Sequence, residues 1–224
     1  MTSAQVRDRI LDIGIIPVVR AASTREAILA VEAVTAGGIP IVELTMTVPG
    51  AISVIAELVR TMGKDTMVGA GTVLDPETAR RCVNAGAEFI VSPGFDPATV
   101  QLVKQQDKLM MAGALTPTEV ITAWKAGSDF VKIFPCGNLG GPKYIKALKG
   151  PLPQVPMIPT GGVSLETAAD FIRAGAAALG IGGELISPGA LKSGDTSEIT
   201  RIARLFLAEV AEARQPAAAS ALAT

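Results

Sequence analysis

Two charged residues sit inside stretches that otherwise read as buried strand. Lys132 interrupts Phe130-Val-Lys-Ile-Phe134, and Glu43 interrupts Ile41-Val-Glu-Leu-Thr45. Strand alternation puts Phe130, Lys132 and Phe134 on one face, with Val131 and Ile133 on the other; Ile41, Glu43 and Thr45 likewise share a face. Charged side chains are seldom buried without a partner or a task. A lysine amine shielded from water and facing a carbonyl compound can add to it, giving a carbinolamine and then a Schiff base. A carboxylate beside the iminium can shuttle protons, directly or through a water. The same pair also fits plainer roles: a lysine that snorkels to solvent, or an internal Lys132–Glu43 ion pair.

The rest of the composition narrows the chemistry. The 224 residues include no histidine. That excludes Ser-His-Asp and Cys-His nucleophile systems, HExxH zinc sites and aldol chemistry on imidazole-held zinc. Charge is balanced, 20 Lys+Arg against 21 Asp+Glu, so there is no basic footprint for nucleic acid. Two cysteines, Cys82 and Cys136, are too few for a disulfide framework and read as free thiols. With no base beside it, Cys136 is not a candidate nucleophile. No Asp/Glu cluster has metal-ligand spacing, so neither metal nor cofactor is expected. Apolar stretches such as Gly175–Gly183 fall short of the roughly 20 residues that span a bilayer. The N-terminus lacks a signal-like apolar run. The expectation is a cytoplasmic protein with no membrane partner.

The elements that must position Lys132 and Glu43 follow from a repeating pattern. Apolar, β-branched runs start near residues 14, 40, 66, 88, 109, 129, 156 and 177, with helix-period segments between them. That spacing suits a strand, a loop, a helix and a return loop. Eight such units point to a single (β/α)8 barrel over 1–214, with 215–224 as a frayed Ala/Ser-rich tail. An open doubly wound sheet is the structural alternative, but no GxGxxG follows the first strand. Ala-Gly recurs at 36–37, 85–86, 126–127 and 174–175, each time just before a strand, where a left-handed glycine would end a helix. Ser23 and Ser164 resemble helix caps; Asp75-Pro76, Asp96-Pro97 and Thr116-Pro117 place proline in a first helical turn.

In a barrel of this kind, chemistry gathers where strands end. Those ends carry Arg20, Thr45, Thr72, Ser92, Thr116, Lys132, Thr160 and Gly182-Gly183. The inner face of the Lys132 strand should point into the barrel, and a methionine of similar length should fill the lysine's space. Two glycine pairs, Gly161-Gly162 and Gly182-Gly183, follow the last two strands, where backbone N–H groups can cradle a phosphate; tight turns need glycine too. Gly69-Ala-Gly71 is either a ligand loop or a close-packed turn. Trp124 and Tyr144 read as packing residues.

Several motifs together resemble one family: PVVRA (17–21), IVELTMTVPGA (41–51), VGAGTVLDP (68–76), FIVSPGFDP (89–97), VKIFP (131–135), PTGGVS (159–164) and IGGELI (181–186). In order and spacing they are similar to the KDPG/KHG aldolases, from about residue 10 to 210. The resemblance implies a metal-independent Schiff-base aldolase, usually a homotrimer. Such an enzyme cleaves 2-keto-3-deoxy-6-phosphogluconate to pyruvate and glyceraldehyde 3-phosphate, a step of the Entner-Doudoroff pathway. A second substrate would be 4-hydroxy-2-oxoglutarate, giving pyruvate and glyoxylate. It assigns Lys132 to the Schiff base and Glu43 to proton transfer. Thr72 matches a contact to the pyruvyl carboxylate, Pro93 a Ser-Pro loop, Phe134 the lysine's neighbour and Thr160 a residue near the reacting carbons. Gly161, Gly162, Gly182 and Gly183 match phosphate loops. Two positions depart from the pattern. Thr47 stands where part of the family has a carboxylate-binding arginine, and Arg20 is expected to supply that charge. Glu184 stands where some relatives have a phosphate-binding serine. The competing functions are a sugar-phosphate isomerase or epimerase with Lys132 and Glu43 as acid–base partners, and a non-catalytic trimeric binding scaffold.

Overall fold

Each of the eight apolar runs becomes a parallel strand in the computed structural model, which describes residues 1–215. The strands are β1 (Ile15–Val19), β2 (Ile41–Thr45), β3 (Met67–Gly71), β4 (Phe89–Val91), β5 (Leu109–Ala114), β6 (Phe130–Ile133), β7 (Met157–Pro159) and β8 (Leu179–Ile181). Every strand residue is buried, because each strand is covered on one face by helices and on the other by the barrel interior. Consecutive strands pair from β1 to β7, and β1 also pairs with β8. A parallel bridge between Thr160 and Gly180 joins β7 to β8 and completes the ring. The arrangement is a (β/α)8 barrel.

The helices are α1 (Ser3–Ile13), α2 (Thr24–Ala36), α3 (Ala51–Met62), α4 (Pro76–Asn84), α5 (Pro97–Gln105), α6 (Pro117–Lys125), α7 (Pro142–Lys149), α8 (Leu165–Arg173), α9 (Pro188–Ser193) and α10 (Ser197–Arg214). Their starts follow the sequence signals. Ser23, Asp75, Asp96 and Thr116 each accept a hydrogen bond from a backbone N–H of the first turn. Those bonds hold the Asp75 and Asp96 carboxyls below the usual range: a bond from the backbone N–H of Thr78 is the main cause at Asp75, and one from the Thr99 hydroxyl at Asp96. Ser164 closes a capping box with Thr167.

Three features depart from eight plain units. Helix α1 precedes β1 and lies across the entry ends of the strands: the Arg9 guanidinium donates to the carbonyls of Pro40 and Asp65, and Val6 and Ile10 are buried. The short α9 stands between β8 and α10. The third concerns the first Ala-Gly repeat. Gly86, Gly127 and Gly175 are left-handed as expected (φ 96 to 100°), but after α2 the left-handed residue is Gly38, not Gly37. Gly37 is helical instead; a Cβ there would lie 2.4 Å from the Cβ of Ala203, so this glycine lets α10 pack closely. The tail expected from residue 215 lies, beyond Gln215 itself, outside the described residues.

Bulky and bare positions alternate around the inside of the barrel. A Cβ on Gly69 would strike the Phe89 ring at 2.2 Å, one on Gly71 the Glu43 carboxylate at 2.0 Å, and one on Gly180 the Thr160 hydroxyl at 2.2 Å. Gly113 sits beside Lys132 in register, and its missing Cβ leaves room for the Pro93 carbonyl group, 2.2 Å away. Small residues on β3, β5 and β8 therefore make space for Glu43 on β2, Phe89 on β4, the backbone of Pro93 and Thr160 just past β7, the alternation that lets a small barrel fill its interior.

Candidate active site

Glu43 on β2 and Lys132 on β6 meet inside the barrel. Lys132 Nζ donates to Glu43 Oε1 at 3.3 Å, and the two side chains are only 5% and 4% exposed. They are 89 residues apart in sequence; only barrel closure brings them together. The Lys132 ammonium also lies 5.6 Å from the centre of the Phe134 ring, a cation–π distance. Among the described residues no buried side-chain polar atom lacks a partner, so the pair is both satisfied and shielded from water.

Above it the mouth divides around Phe134. On one side Phe134 joins Pro93, Gly94 and Gly113 around a cavity of about 380 Å³. On the other it joins Arg20, Thr160 and the two glycine pairs around a cavity of about 190 Å³, with Glu184 at its edge. Arg20 also borders a wider groove of about 540 Å³ that includes Thr47 and Lys192. Of the sequence-derived candidates, Lys132 and Glu43 thus form one interior pair, and Phe134, Pro93, Thr160, Arg20, Gly161, Gly162, Gly182 and Gly183 line the two cavities that share Phe134. Thr47 stands apart in the groove. Thr72 lines none of these cavities; it ends β3 with φ 58°, an uncommon value for a residue other than glycine.

The hydrogen bonds at Thr47 decide what it can offer. Buried Thr45 donates its hydroxyl proton to the carbonyl of Val19 at 2.9 Å, and its oxygen is 2.7 Å from the Thr47 oxygen. One hydroxyl has one proton, so Thr47 is the donor in the second bond. Its remaining capacity is as an acceptor, which suits a substrate hydroxyl and not a carboxylate.

The four loop glycines differ in their reasons for being glycine. Gly161 and Gly162 are both left-handed (φ 84° and 77°), and a Cβ on Gly162 would lie 2.7 Å from the Cα of Gly137. That close approach is fixed by backbone bonds from Cys136 to Thr160 and from Gly137 to Gly161. Turn geometry alone therefore accounts for the first pair. Gly183 is different: its φ is not left-handed and a Cβ would meet nothing within 4 Å. The N–H groups of Gly162, Gly183 and Glu184 have no acceptor among the described residues. They form a set of free donors around the smaller cavity.

Other sequence candidates fall into structural roles. Burial pushes the Cys136 and Cys82 thiols up to about 11, so neither offers a thiolate at neutral pH. Tyr144 donates to the carbonyl of Leu115 and Trp124 packs on the core. Among the described residues no three carboxylate or thiol side chains gather as metal ligands, and no helix is long and apolar enough to cross a membrane. The spacer roles of Gly71 and Gly113 went unassigned in the sequence, since a glycine on a strand does not say which neighbour fills its space.

Residues 6–202 match a family model described as KDPG and KHG aldolase. A 2-dehydro-3-deoxy-phosphogluconate aldolase from Pseudomonas aeruginosa is 32% identical over 90% of this chain and 91% of its own. A 2-dehydro-3-deoxy-6-phosphogalactonate aldolase from Escherichia coli is 35% identical over 78% of this chain and 85% of its own. Among solved structures, KDPG aldolase from Legionella pneumophila, with pyruvate captured as a covalent carbinolamine, superposes with a TM-score of 0.82 at 29% identity. It covers 88% of this chain and 96% of that one.

Proposed function

The chain belongs to the KDPG and KHG aldolase family and is a Schiff-base aldolase; from there we propose that Lys132 is its Schiff-base residue and Glu43 its proton carrier. The observation that supports this is the shielded Lys132–Glu43 pair, with the Phe134 ring that lines both cavities 5.6 Å from the lysine nitrogen. The isomerase or epimerase and the non-catalytic scaffold are set aside by family membership.

The Lys132 amine attacks the C2 ketone of a 2-keto-4-hydroxy acid; the carbinolamine loses water to give an iminium. Glu43, within reach of that nitrogen, takes the C4 hydroxyl proton. The C3–C4 bond breaks, its electrons pass into the iminium, and the aldehyde leaves. The remaining enamine is protonated at C3, and water releases pyruvate and restores the amine. The substrate is 2-keto-3-deoxy-6-phosphogluconate, with 4-hydroxy-2-oxoglutarate as a smaller alternative. The free N–H groups of the glycine loops receive the distal phosphate, and Thr160, Pro93 and Thr72 line the carbon chain. The enzyme works as a cytoplasmic homotrimer in sugar-acid breakdown by the Entner-Doudoroff pathway.

Incubation with pyruvate and borohydride tests the assignment. The expected product is a stable pyruvyl adduct on the peptide containing Lys132; an adduct on another lysine, or none between pH 6 and 9, contradicts it.

Arg20 supplies the charge for the substrate carboxylate. Its side chain borders both the smaller cavity and the wider groove that holds Thr47, and because a Cβ on Gly182 would lie 3.0 Å from the guanidinium, the same cation also faces the glycine loops that receive the phosphate. Loss of a charge-assisted hydrogen bond costs about 1.5–3 kcal/mol. Arg20→Ala should therefore raise KM for pyruvate-type substrates roughly 10- to 100-fold. An unchanged KM would show that the carboxylate is held elsewhere.

A further inference from the structure

Arg20 reaches the site on a long, flexible stem, and among the described residues no salt bridge fixes its guanidinium. Where its charge lands therefore depends on how the backbone that carries it is held. The guanidinium stands against Gly182, just past β8, where an added Cβ would lie 3.0 Å from it. Arg20 borders the wider groove as well as the smaller cavity, so a small displacement of the chain at this residue moves the cation from one toward the other.

Two side chains hold that stretch of chain. The β1–β2 register ends with Val19 opposite Leu44, and Arg20, the next residue, is exposed. The carbonyl of Val19 is half of the peptide link to Arg20, and it accepts the Thr45 hydroxyl proton at 2.9 Å. Two residues past Arg20, the N–H of Ala22 donates to the Glu26 carboxylate at 3.0 Å. The second bond lies at the surface, whereas Thr45 is fully buried. Thr47 occupies the remaining side of the Thr45 oxygen at 2.7 Å. Thr45 thus spends its hydroxyl on the main chain beside Arg20 and on its own neighbour, and has nothing left to offer a substrate.

We propose that Thr45 is a positioning residue for the aldol reaction. Through the Val19 carbonyl it fixes the exit of β1, and so holds the Arg20 guanidinium where the substrate carboxylate binds. This rests on the role given to Arg20 above; Thr45 itself touches no reacting atom.

Pyruvate is the probe, because it carries the carboxylate end of the substrate and no phosphate. Two quantities are measured: the pyruvate concentration for half-maximal borohydride trapping, and KM and kcat for 2-keto-3-deoxy-6-phosphogluconate. The proteins are the full-length enzyme, Thr45→Val, Thr45→Ser, Arg20→Ala and Arg20→Ala/Thr45→Val. Valine keeps the shape of threonine but sets a methyl where a hydroxyl lay 2.9 Å from the oxygen. That is closer than the roughly 3.3–3.6 Å of a carbon–oxygen contact, so the peptide before Arg20 must shift. Thr45→Val should raise both the half-maximal concentration and KM at least about fivefold, with kcat within about threefold of the wild type. Thr45→Ser keeps the hydroxyl and should stay within about twofold on all three. The double variant should bind within about twofold of Arg20→Ala, since no cation remains to be placed. Thr45→Ala removes the hydroxyl without crowding and gives the same reading should the valine variant not fold. An Arg20→Ala variant with unchanged pyruvate binding removes the role of Arg20, and this proposal with it. If Arg20→Ala weakens binding, three results overturn the role of Thr45 alone: unchanged binding in Thr45→Val and Thr45→Ala, a fall in kcat in place of the rise in KM, or losses that multiply in the double variant.

Discussion

Lys132→Met should abolish aldol cleavage, lowering kcat by roughly 10⁴-fold or more, as deletion of a covalent nucleophile does elsewhere, and should eliminate pyruvate trapping. It should also cost stability, and the structure says why. Methionine replaces the length of the lysine stem, but volume is only half of what Lys132 supplies. Its ammonium is the partner of Glu43 at 3.3 Å, and Glu43 is only 4% exposed. Removing one member of a buried pair leaves an uncompensated charge, which costs about 3–5 kcal/mol. For a chain of this size, that lowers the melting temperature by about 10 °C. The double variant Lys132→Met/Glu43→Gln removes the stranded charge and should recover most of the loss while remaining inactive. Thermal melts of the three proteins decide the matter. A single variant that melts with the wild type would mean that Glu43 finds another partner or water.

The contrast between volume and charge shows where the sequence stops being informative. Alternation in FVKIF and IVELT was enough to aim Lys132 and Glu43 inward, because a strand buried on both faces leaves a charged residue few other places to go. It could not say that the two side chains touch. That contact depends on the closing of eight strands into a ring, a property of no single segment. Strand starts and helix caps were legible for the opposite reason: Asp-Pro and Thr-Pro act within one turn of the chain. At the first Ala-Gly repeat the local rule failed by one residue. The second glycine of the run took the left-handed turn, and Gly37 was released for a contact with α10 made across more than 160 residues. The groups facing the mouth divide in the same way. Arg20, Thr160 and the glycine pairs announce themselves by standing at strand ends. The proton direction at Thr47, by contrast, is set by the carbonyl of Val19 on a neighbouring strand.

Gly71→Ala should be nearly as damaging as loss of a catalytic group, although Gly71 carries no chemistry. Its backbone does not require glycine, since its φ is not left-handed. The added methyl would nonetheless lie 2.0 Å from Glu43 Oε1 and 2.5 Å from Cδ and Cγ of the same side chain. Real Cβ atoms do not approach that closely, so Glu43 must swing away, and swinging away breaks its bond to Lys132. Proton transfer by a positioned side chain is worth about 10²–10⁴-fold. A drop in kcat of that order is expected, comparable with Glu43→Gln. Lys132 itself is untouched, so pyruvate should still be trapped on it by borohydride. This separates the variant from Lys132→Met, which loses both. Gly113→Ala provides the control for crowding alone. There the added methyl meets the backbone of Pro93 at 2.2 Å, and a backbone yields less readily than a side chain. Overpacking of that kind should appear mainly as about 1–3 kcal/mol of lost stability. If Gly71→Ala keeps kcat within threefold of the wild type while Glu43→Gln loses it, the glutamate has slack that the packing denies. Position 71 would then be a place to fit a strand and not a means of holding a proton carrier.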